Sequence, residues 1–120
     1  MSTLPPGERD AVVQRVRDAC ERRDAPSLHT LLSPEVVALI DTGGDLIAST
    51  WPLTGDEVVP RLLDALEGAD LSAQQVNGVG AIVARRGERV SCIVSFGFEG
   101  NRVARVWITL SPLKLRRWNS

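Results

Sequence analysis

The clearest pattern in the chain is an alternation of apolar and polar residues over 89–98, followed by a second alternating run over 102–110. Successive side chains of a strand point to opposite faces, so a period of two predicts a β-strand in each run. Glu99-Gly100-Asn101 separates the two runs and is rich in turn-forming residues. We therefore predict an antiparallel hairpin with a two-residue loop at Gly100-Asn101.

That loop predicts the register of the hairpin, with Phe98 opposite Val103 and Phe96 opposite Arg105. One face is expected to carry the larger and polar groups Cys92, Val94, Phe96, Arg105, Trp107 and Thr109. The other face is expected to carry the small and aliphatic groups Ser91, Ile93, Ser95, Gly97, Ala104, Val106, Ile108 and Leu110. Monomers rarely leave such a contiguous apolar patch in water, so we expect this second face to form a homodimer.

Three helices are predicted upstream of the hairpin. Apolar residues over 12–20 recur at spacings of three and four, which predicts an amphipathic first helix. Asp24 and Pro26 suit the N-cap and first turn of a shorter second helix. Thr54-Gly55-Asp56-Glu57 has the spacing of a capping box before a third helix. Pro60 predicts that this third helix is kinked or begins later.

Shorter strands complete the predicted sheet. We predict them over residues 36–41, 46–50, 71–77 and 81–85. A loop at Gly87-Glu88 would place Val83 opposite Cys92, which extends the face assignment to a third strand.

Composition limits the classes of function. The chain has 120 residues, 43% of them hydrophobic, and a formal net charge of -1. This length suits a single domain over 1–120, with 111–120 as a C-terminal tail. Near-neutral charge predicts no nucleic-acid partner, and no apolar run approaches the roughly 20 residues that a membrane span needs. No basic and apolar leader follows Met1, so we expect a cytoplasmic protein with Cys20 and Cys92 as buried free thiols.

Several short segments carry a resemblance to a known family. They are Asp41-Thr42-Gly43-Gly44, Thr54-Gly55, Val76-Asn77-Gly78 and Ser111-Pro112-Leu113-Lys114-Leu115. With the predicted order of elements, they resemble the SnoaL-like branch of the nuclear-transport-factor-2-like superfamily. The nearest likeness is to the SnoaL-like C-terminal domain of bacterial extracytoplasmic-function sigma factors. The resemblance implies an α+β cone, in which a curved, mostly antiparallel sheet packs against three helices around a pocket.

The candidate site follows from that implied pocket. Its candidate lining residues are Asp41, Trp51, Cys92, Phe96, Arg105, Trp107 and Thr109. A buried guanidinium at Arg105 would need an acceptor, and the family topology makes Asp41 the nearest one. The alternative is an Arg105 whose stem packs while its head reaches solvent. His29 is expected to be non-catalytic, and one histidine with two distant cysteines predicts no metal site. No cofactor is predicted.

Three hypotheses for function remain open. The leading one is a non-catalytic module that dimerises through its sheet and binds a small apolar or weakly polar ligand, or a protein partner, in its cone. The second is a small hydrolase, isomerase or cyclase with Asp41 as the base and Arg105 holding it ionised. The third is a stand-alone regulatory domain related to the sigma-factor domains. A ketosteroid-isomerase-like site is excluded, because it uses a tyrosine donor and this chain has none.

Overall fold

The computed structural model describes residues 6–41, 52–76 and 78–119. The helices are α1 (Pro6–Glu21), α2 (Ala25–Leu31), α3 (Val58–Leu66) and α4 (Pro112–Asn119). The strands are β1 (Leu32–Asp41), β2 (Leu53–Thr54), β3 (Asp70–Val76), β4 (Val79–Arg86), β5 (Arg89–Glu99) and β6 (Arg102–Thr109). The predicted strand over 46–50 lies outside the described residues. The predicted C-terminal tail contains a helix, α4, that the sequence analysis did not predict.

One six-stranded sheet has the strand order β2-β1-β6-β5-β4-β3. Strands β3 to β6 form an antiparallel meander, and β1 pairs with β6 in parallel. This mixed, mostly antiparallel sheet with helices packed against it confirms the predicted α+β fold class.

The predicted helix starts are confirmed. The Asp24 carboxylate accepts hydrogen bonds from the Ser27 hydroxyl at 2.6 Å and the Ser27 backbone N–H at 3.2 Å, and caps α2. These bonds, the hydroxyl first, lower the pKa of Asp24. At the third helix, the backbone N–H of Thr54 donates to Glu57 Oε1 at 3.2 Å. A 3₁₀ turn over Gly55–Glu57 delays the start of α3, so Pro60 lies in the first turn, where its missing N–H costs no helical hydrogen bond.

The predicted β5–β6 loop is correct, but the predicted register is wrong beyond it. Phe98 pairs with Val103 as predicted, whereas Gly97 pairs with Arg105 and Phe96 with Val106. Ala104 is thus an extra residue on β6, and it forms a β-bulge. Because side chains alternate, a shift of one residue moves every later side chain of β6 to the opposite face.

The β4–β5 hairpin contains a second bulge. Gly87-Glu88 forms the loop, since Arg86 pairs with Arg89, as predicted. Beyond Val90, Cys92 pairs with Ala84 instead of Val83, because one extra residue lies in β5. The predicted pairing of Val83 with Cys92 is therefore wrong.

The two faces of the sheet are covered by different helices. Helices α1, α2 and α3 cover the inner face and bury one large apolar cluster against it. Helix α4 lies on the outer face, where Leu115 and Trp118 pack with Ala81, Val83, Val90 and Ile93. The outer face is therefore covered over β4 and the start of β5.

Candidate functional site

Side chains fill the space between the inner sheet face and the helices. Phe96 is 2% exposed and belongs to the same buried cluster as Val94 and Ile108 of the sheet and Val16 and Leu62 of the helices. The region in which the pocket was predicted is therefore apolar core.

The structure corrects the placement of three predicted site residues. Arg105, Trp107 and Thr109 lie on the outer sheet face, because the bulge at Ala104 reverses β6 relative to Phe96. Arg105 is exposed, as in the alternative that left its head in solvent. The bulge also turns Val106 into the core, where it is 1% exposed.

Asp41 also lies on the outer face rather than in the cone. Val36 and Ala38 of β1 are buried in the core, so the alternating positions Val37, Leu39 and Asp41 face outward. Arg105 pairs with Val37, four residues before Asp41, which corresponds to about 13 Å along a strand. The Asp41 carboxylate instead forms an ion pair with Lys114 of α4.

The remaining predicted site residues do not form a common site in the described part of the chain. Cys92 is buried in the core, and burial raises its pKa to about 12, as it does for Cys20. Both thiols are free, as predicted. Trp51 lies outside the described residues. His29 is exposed on α2.

A cleft opens where β4 and β5 separate. The last pair between these strands is Ala81 with Ser95; before Ala81, β4 pairs only with β3, and after Ser95, β5 pairs only with β6. The resulting cavity has a volume of about 340 Å³. Its lining residues are Arg9, Asp10, Gln75, Gly78, Val79, Gly80, Phe96, Gly97, Phe98 and Trp107. The cleft thus brings together two predicted site residues, Phe96 and Trp107, although they lie on opposite sheet faces.

Helix α1 forms one wall of this cleft. It approaches β4 so closely at Gly80 that a Cβ there would lie 2.9 Å from Val13 Cγ2, which is too close for two carbon atoms. The same approach brings Asp10 to β3, where its carboxylate accepts hydrogen bonds from Gln75 Nε2 at 3.2 and 3.4 Å. One end of the cleft is therefore polar.

Trp107 links the cleft to a second surface. A Cβ at Gly97 would contact the Trp107 ring at 3.5 Å, so the ring lies over this glycine. On its other side Trp107 pairs directly with Leu39 of β1. Val37, Leu39, Arg105, Val106 and Trp107 line a groove of about 260 Å³. We call Val37, Leu39, Arg105 and Trp107 the outer-face patch.

Sequence reasoning missed both the cleft and the true composition of the patch. Arg105 is the residue that could have indicated the patch. The predicted register buries the Arg105 guanidinium, which is costly. A register with one bulge exposes Arg105 and buries Val106 and Ile108. For the cleft, Gly78 and Gly80 were the only signal, and they do not specify which strands separate.

Comparison with known proteins identifies the fold. No protein-family model matches the chain, and no curated protein matches its sequence. A steroid delta-isomerase from Pseudomonas aeruginosa matches in structure with a TM-score of 0.62 and 21% identity, covering 92% of this chain and 84% of that chain. The extracytoplasmic function sigma factor SigJ of Mycobacterium tuberculosis matches with a TM-score of 0.62 and 20% identity, covering 88% of this chain.

A third match is an LEH-like epoxide hydrolase of Mycobacterium tuberculosis, with a TM-score of 0.56 and 12% identity over 92% of this chain and 88% of that chain. The matched region is 42% of the SigJ chain. The chain therefore has the same α+β fold as these proteins, the nuclear-transport-factor-2-like fold, as predicted. Isomerases and a sigma factor share this fold, so the fold alone does not specify an activity.

Within the described residues there is neither a membrane-spanning helix nor a cluster of metal-binding side chains. In this part of the chain, helices long and apolar enough to cross a bilayer are absent. The same residues contain no group of three or more histidine, cysteine or acidic side chains arranged to hold a metal ion.

Proposed function

We propose that this chain is a non-catalytic interaction module that forms a homodimer through its outer-face patch. The observation that carries the proposal is the directly paired Leu39 and Trp107, whose exposed fractions are 43% and 38%. Large apolar side chains that are adjacent and exposed are typical of a protein-protein interface. Trp and Arg are also enriched among the residues that dominate binding energy, and the patch contains Trp107 and Arg105.

A non-catalytic role is supported by the placement of the residues that the enzyme hypothesis required. Asp41 and Arg105 lie on the outer face, and Lys114 forms an ion pair with Asp41. Phe96 and its neighbours fill the interior in which a substrate would have been held. The hypothesis of a hydrolase, isomerase or cyclase therefore loses its proposed base and its proposed pocket.

A second copy of the chain is the occupant that suits the patch best. Arg105 is its single charged residue, so the patch is mainly apolar, and the adjoining half of the outer face is buried by α4. A two-fold dimer would place the same patch of both copies in contact and extend this burial across β6 and β1. A stable interface of this kind needs about 800 Å² from each partner.

The test introduces a charge into the patch. Leu39→Lys should convert dimers to monomers at tens of micromolar, because each copy would bring a second cation next to Arg105. Leu39 is exposed, so the fold of the monomer should survive. Sedimentation velocity measures the oligomeric state, and thermal unfolding checks the fold.

The matched control is Ala11→Lys, which adds the same charge at an exposed position on α1. This variant should remain dimeric. A wild-type protein that is monomeric at tens of micromolar contradicts the proposal, and a dimer that tolerates Leu39→Lys contradicts this choice of interface.

A further inference from the structure

The cleft between β4 and β5 has the properties of a small-molecule site. Its volume of about 340 Å³ lies in the usual range of ligand pockets, which begins near 300 Å³. Its wall is mainly apolar, and its apolar side chains are Val79, Phe96, Phe98 and Trp107. Val37 and Leu39 of the outer-face patch do not line it, so the cleft is separate from most of the proposed dimer surface.

The polar end of the cleft favours a hydrogen-bond donor. Both oxygens of the Asp10 carboxylate face the single donor group Gln75 Nε2, at 3.2 and 3.4 Å. A carboxylate has about four acceptor positions, so Asp10 can accept further hydrogen bonds from a ligand. An ammonium group suits this position, because charge-assisted hydrogen bonds are the stronger kind.

The aromatic wall favours the same class of ligand. The Phe98 and Trp107 rings offer apolar surface for the body of a ligand, and aromatic faces also attract cations. Arg9 is the second charged residue of the lining and has an interaction of its own within the chain. Its charge would oppose an ammonium placed beside the guanidinium, so the Asp10 carboxylate is the group in the lining that attracts the cation.

We propose that this cleft binds a small primary amine with an aromatic or branched apolar body. The ammonium donates to the Asp10 carboxylate, Gln75 orients that carboxylate, and the body lies against Phe98 and Trp107. This ligand site goes beyond the proposed homodimer, and the two can be tested separately.

The test compares three probes of one shape: phenylbutylamine, phenylbutanol and phenylbutyrate. Quenching or enhancement of tryptophan fluorescence reports binding, because Trp107 lines the cleft. The amine should bind about tenfold or more tightly than the alcohol or the acid, which is the size expected for a hydrogen bond to a charged group. Equal affinity for the three probes, preference for the acid, or no binding of the amine would overturn the proposal.

Two variants and one matched control locate the site. Asp10→Asn removes the charge and keeps an acceptor for Gln75, and it should weaken amine binding about tenfold. Glu8→Gln removes the same charge from an exposed position of α1 outside the cleft lining, and it should leave the affinity unchanged. Val79→Phe should fill the cleft and abolish binding, since Val79 is 44% exposed and can accept a larger side chain.

Leu39→Lys separates this proposal from the homodimer. Leu39 does not line the cleft, although its strand partner Trp107 does, so the monomeric variant should still bind the amine and still prefer it to the alcohol and the acid. Amine affinity that is unaffected by both Asp10→Asn and Val79→Phe, in variants that unfold at the wild-type temperature, would show that the cleft is not the site.

Discussion

The inner and outer faces of the sheet differ in what covers them. On the inner face, three helices bury side chains of β1, β4, β5 and β6 in one continuous cluster. On the outer face, α4 covers β4 and the start of β5, while Leu39 and Trp107 remain exposed. Apolar content alone does not explain this difference, because both faces carry large apolar residues. The difference in exposure comes from the helices that pack on each face. In the described part of the chain, a helix packs on only half of the outer face.

Neighbouring residues on β6 give the sharpest form of the comparison. Val106 and Arg105 are adjacent in sequence, yet Val106 is 1% exposed in the core and Arg105 is exposed on the outer face. The comparison therefore predicts opposite outcomes for the same substitution at the two positions.

The largest expected effect is that of Val106→Asp, which should unfold the protein. It removes a buried valine and places an unpaired carboxylate among apolar side chains, so we expect a loss of more than about 4 kcal/mol. The register predicted from the sequence placed Val106 in the dimer interface, where the same change would have yielded folded monomers. Circular dichroism and gel filtration distinguish these two outcomes.

Arg105→Asp is the matched control for that substitution. Since Arg105 is exposed, the fold should remain within about 0.5 kcal/mol of the wild type when both proteins are compared as monomers, because loss of the proposed dimer would itself lower the apparent stability. An Arg105→Asp variant that unfolds while Val106→Asp stays folded would reverse the assignment of faces.

A smaller effect is expected where α4 covers the outer face. Leu115 is 4% exposed and packs on Val83, Val90 and Ile93. Leu115→Ala should destabilise the protein by about 2 to 3 kcal/mol, toward the lower end for buried leucines, because this cluster is small and can relax. Urea denaturation measures the free energy of unfolding. Arg116→Ala is the control, since Arg116 is exposed on the same helix, and it should change the free energy of unfolding by less than about 0.5 kcal/mol. An equal loss of stability in both variants would mean that the packing of Leu115 on the outer face makes no specific contribution to stability.

Much of the fold could be predicted from the sequence, because its signals are local. Asp24, the Thr54–Glu57 capping box and the Gly87-Glu88 and Gly100-Asn101 loops each determine the conformation of a few neighbouring residues. Alternation of apolar residues then identifies the strands. The bulges lack such a local signal: Ala104 is an ordinary strand residue, and the turn beside it is compatible with either register.

The candidate site depended on that register, so one missed bulge displaced three of its members together. Trp107 illustrates the consequence, because it was predicted beside Phe96 in the cone and instead lies over Gly97 on the outer face. The cleft depends on where β4 and β5 stop pairing, which is a tertiary property of the curved sheet. Helix α4 was missed for a related reason. Its apolar residues indicate a packed helix only when the outer face is known to present apolar side chains to it.

The smallest expected effect concerns the polar anchor of α4. Asn119 Oδ1 accepts a hydrogen bond from the Val90 backbone N–H at 2.7 Å, and Asn119 Nδ2 donates to the Val90 carbonyl at 3.0 Å. The amide thus satisfies both backbone groups of one residue of β5, as a neighbouring strand would. Asn119→Ala should lower the free energy of unfolding by about 1 kcal/mol. The two hydrogen bonds are only partly buried, so water can take the place of the lost amide as a partner for Val90.

The specific evidence for this anchor is local. Hydrogen exchange at the Val90 amide should accelerate in Asn119→Ala more than at Ile93, which contacts α4 through apolar packing. Asn119→Asp is the informative comparison, because it keeps an acceptor for the Val90 N–H but places a carboxylate oxygen against the Val90 carbonyl. We expect it to protect the Val90 amide better than alanine does and still to lose stability. If the Val90 amide exchanges at the same rate in the wild type and both variants, the Asn119 hydrogen bonds do not anchor α4. Helix α4 is then held on the outer face by the Leu115 cluster alone. Both halves of the outer face would then depend on apolar contact, one with α4 and the other with the second copy in a dimer.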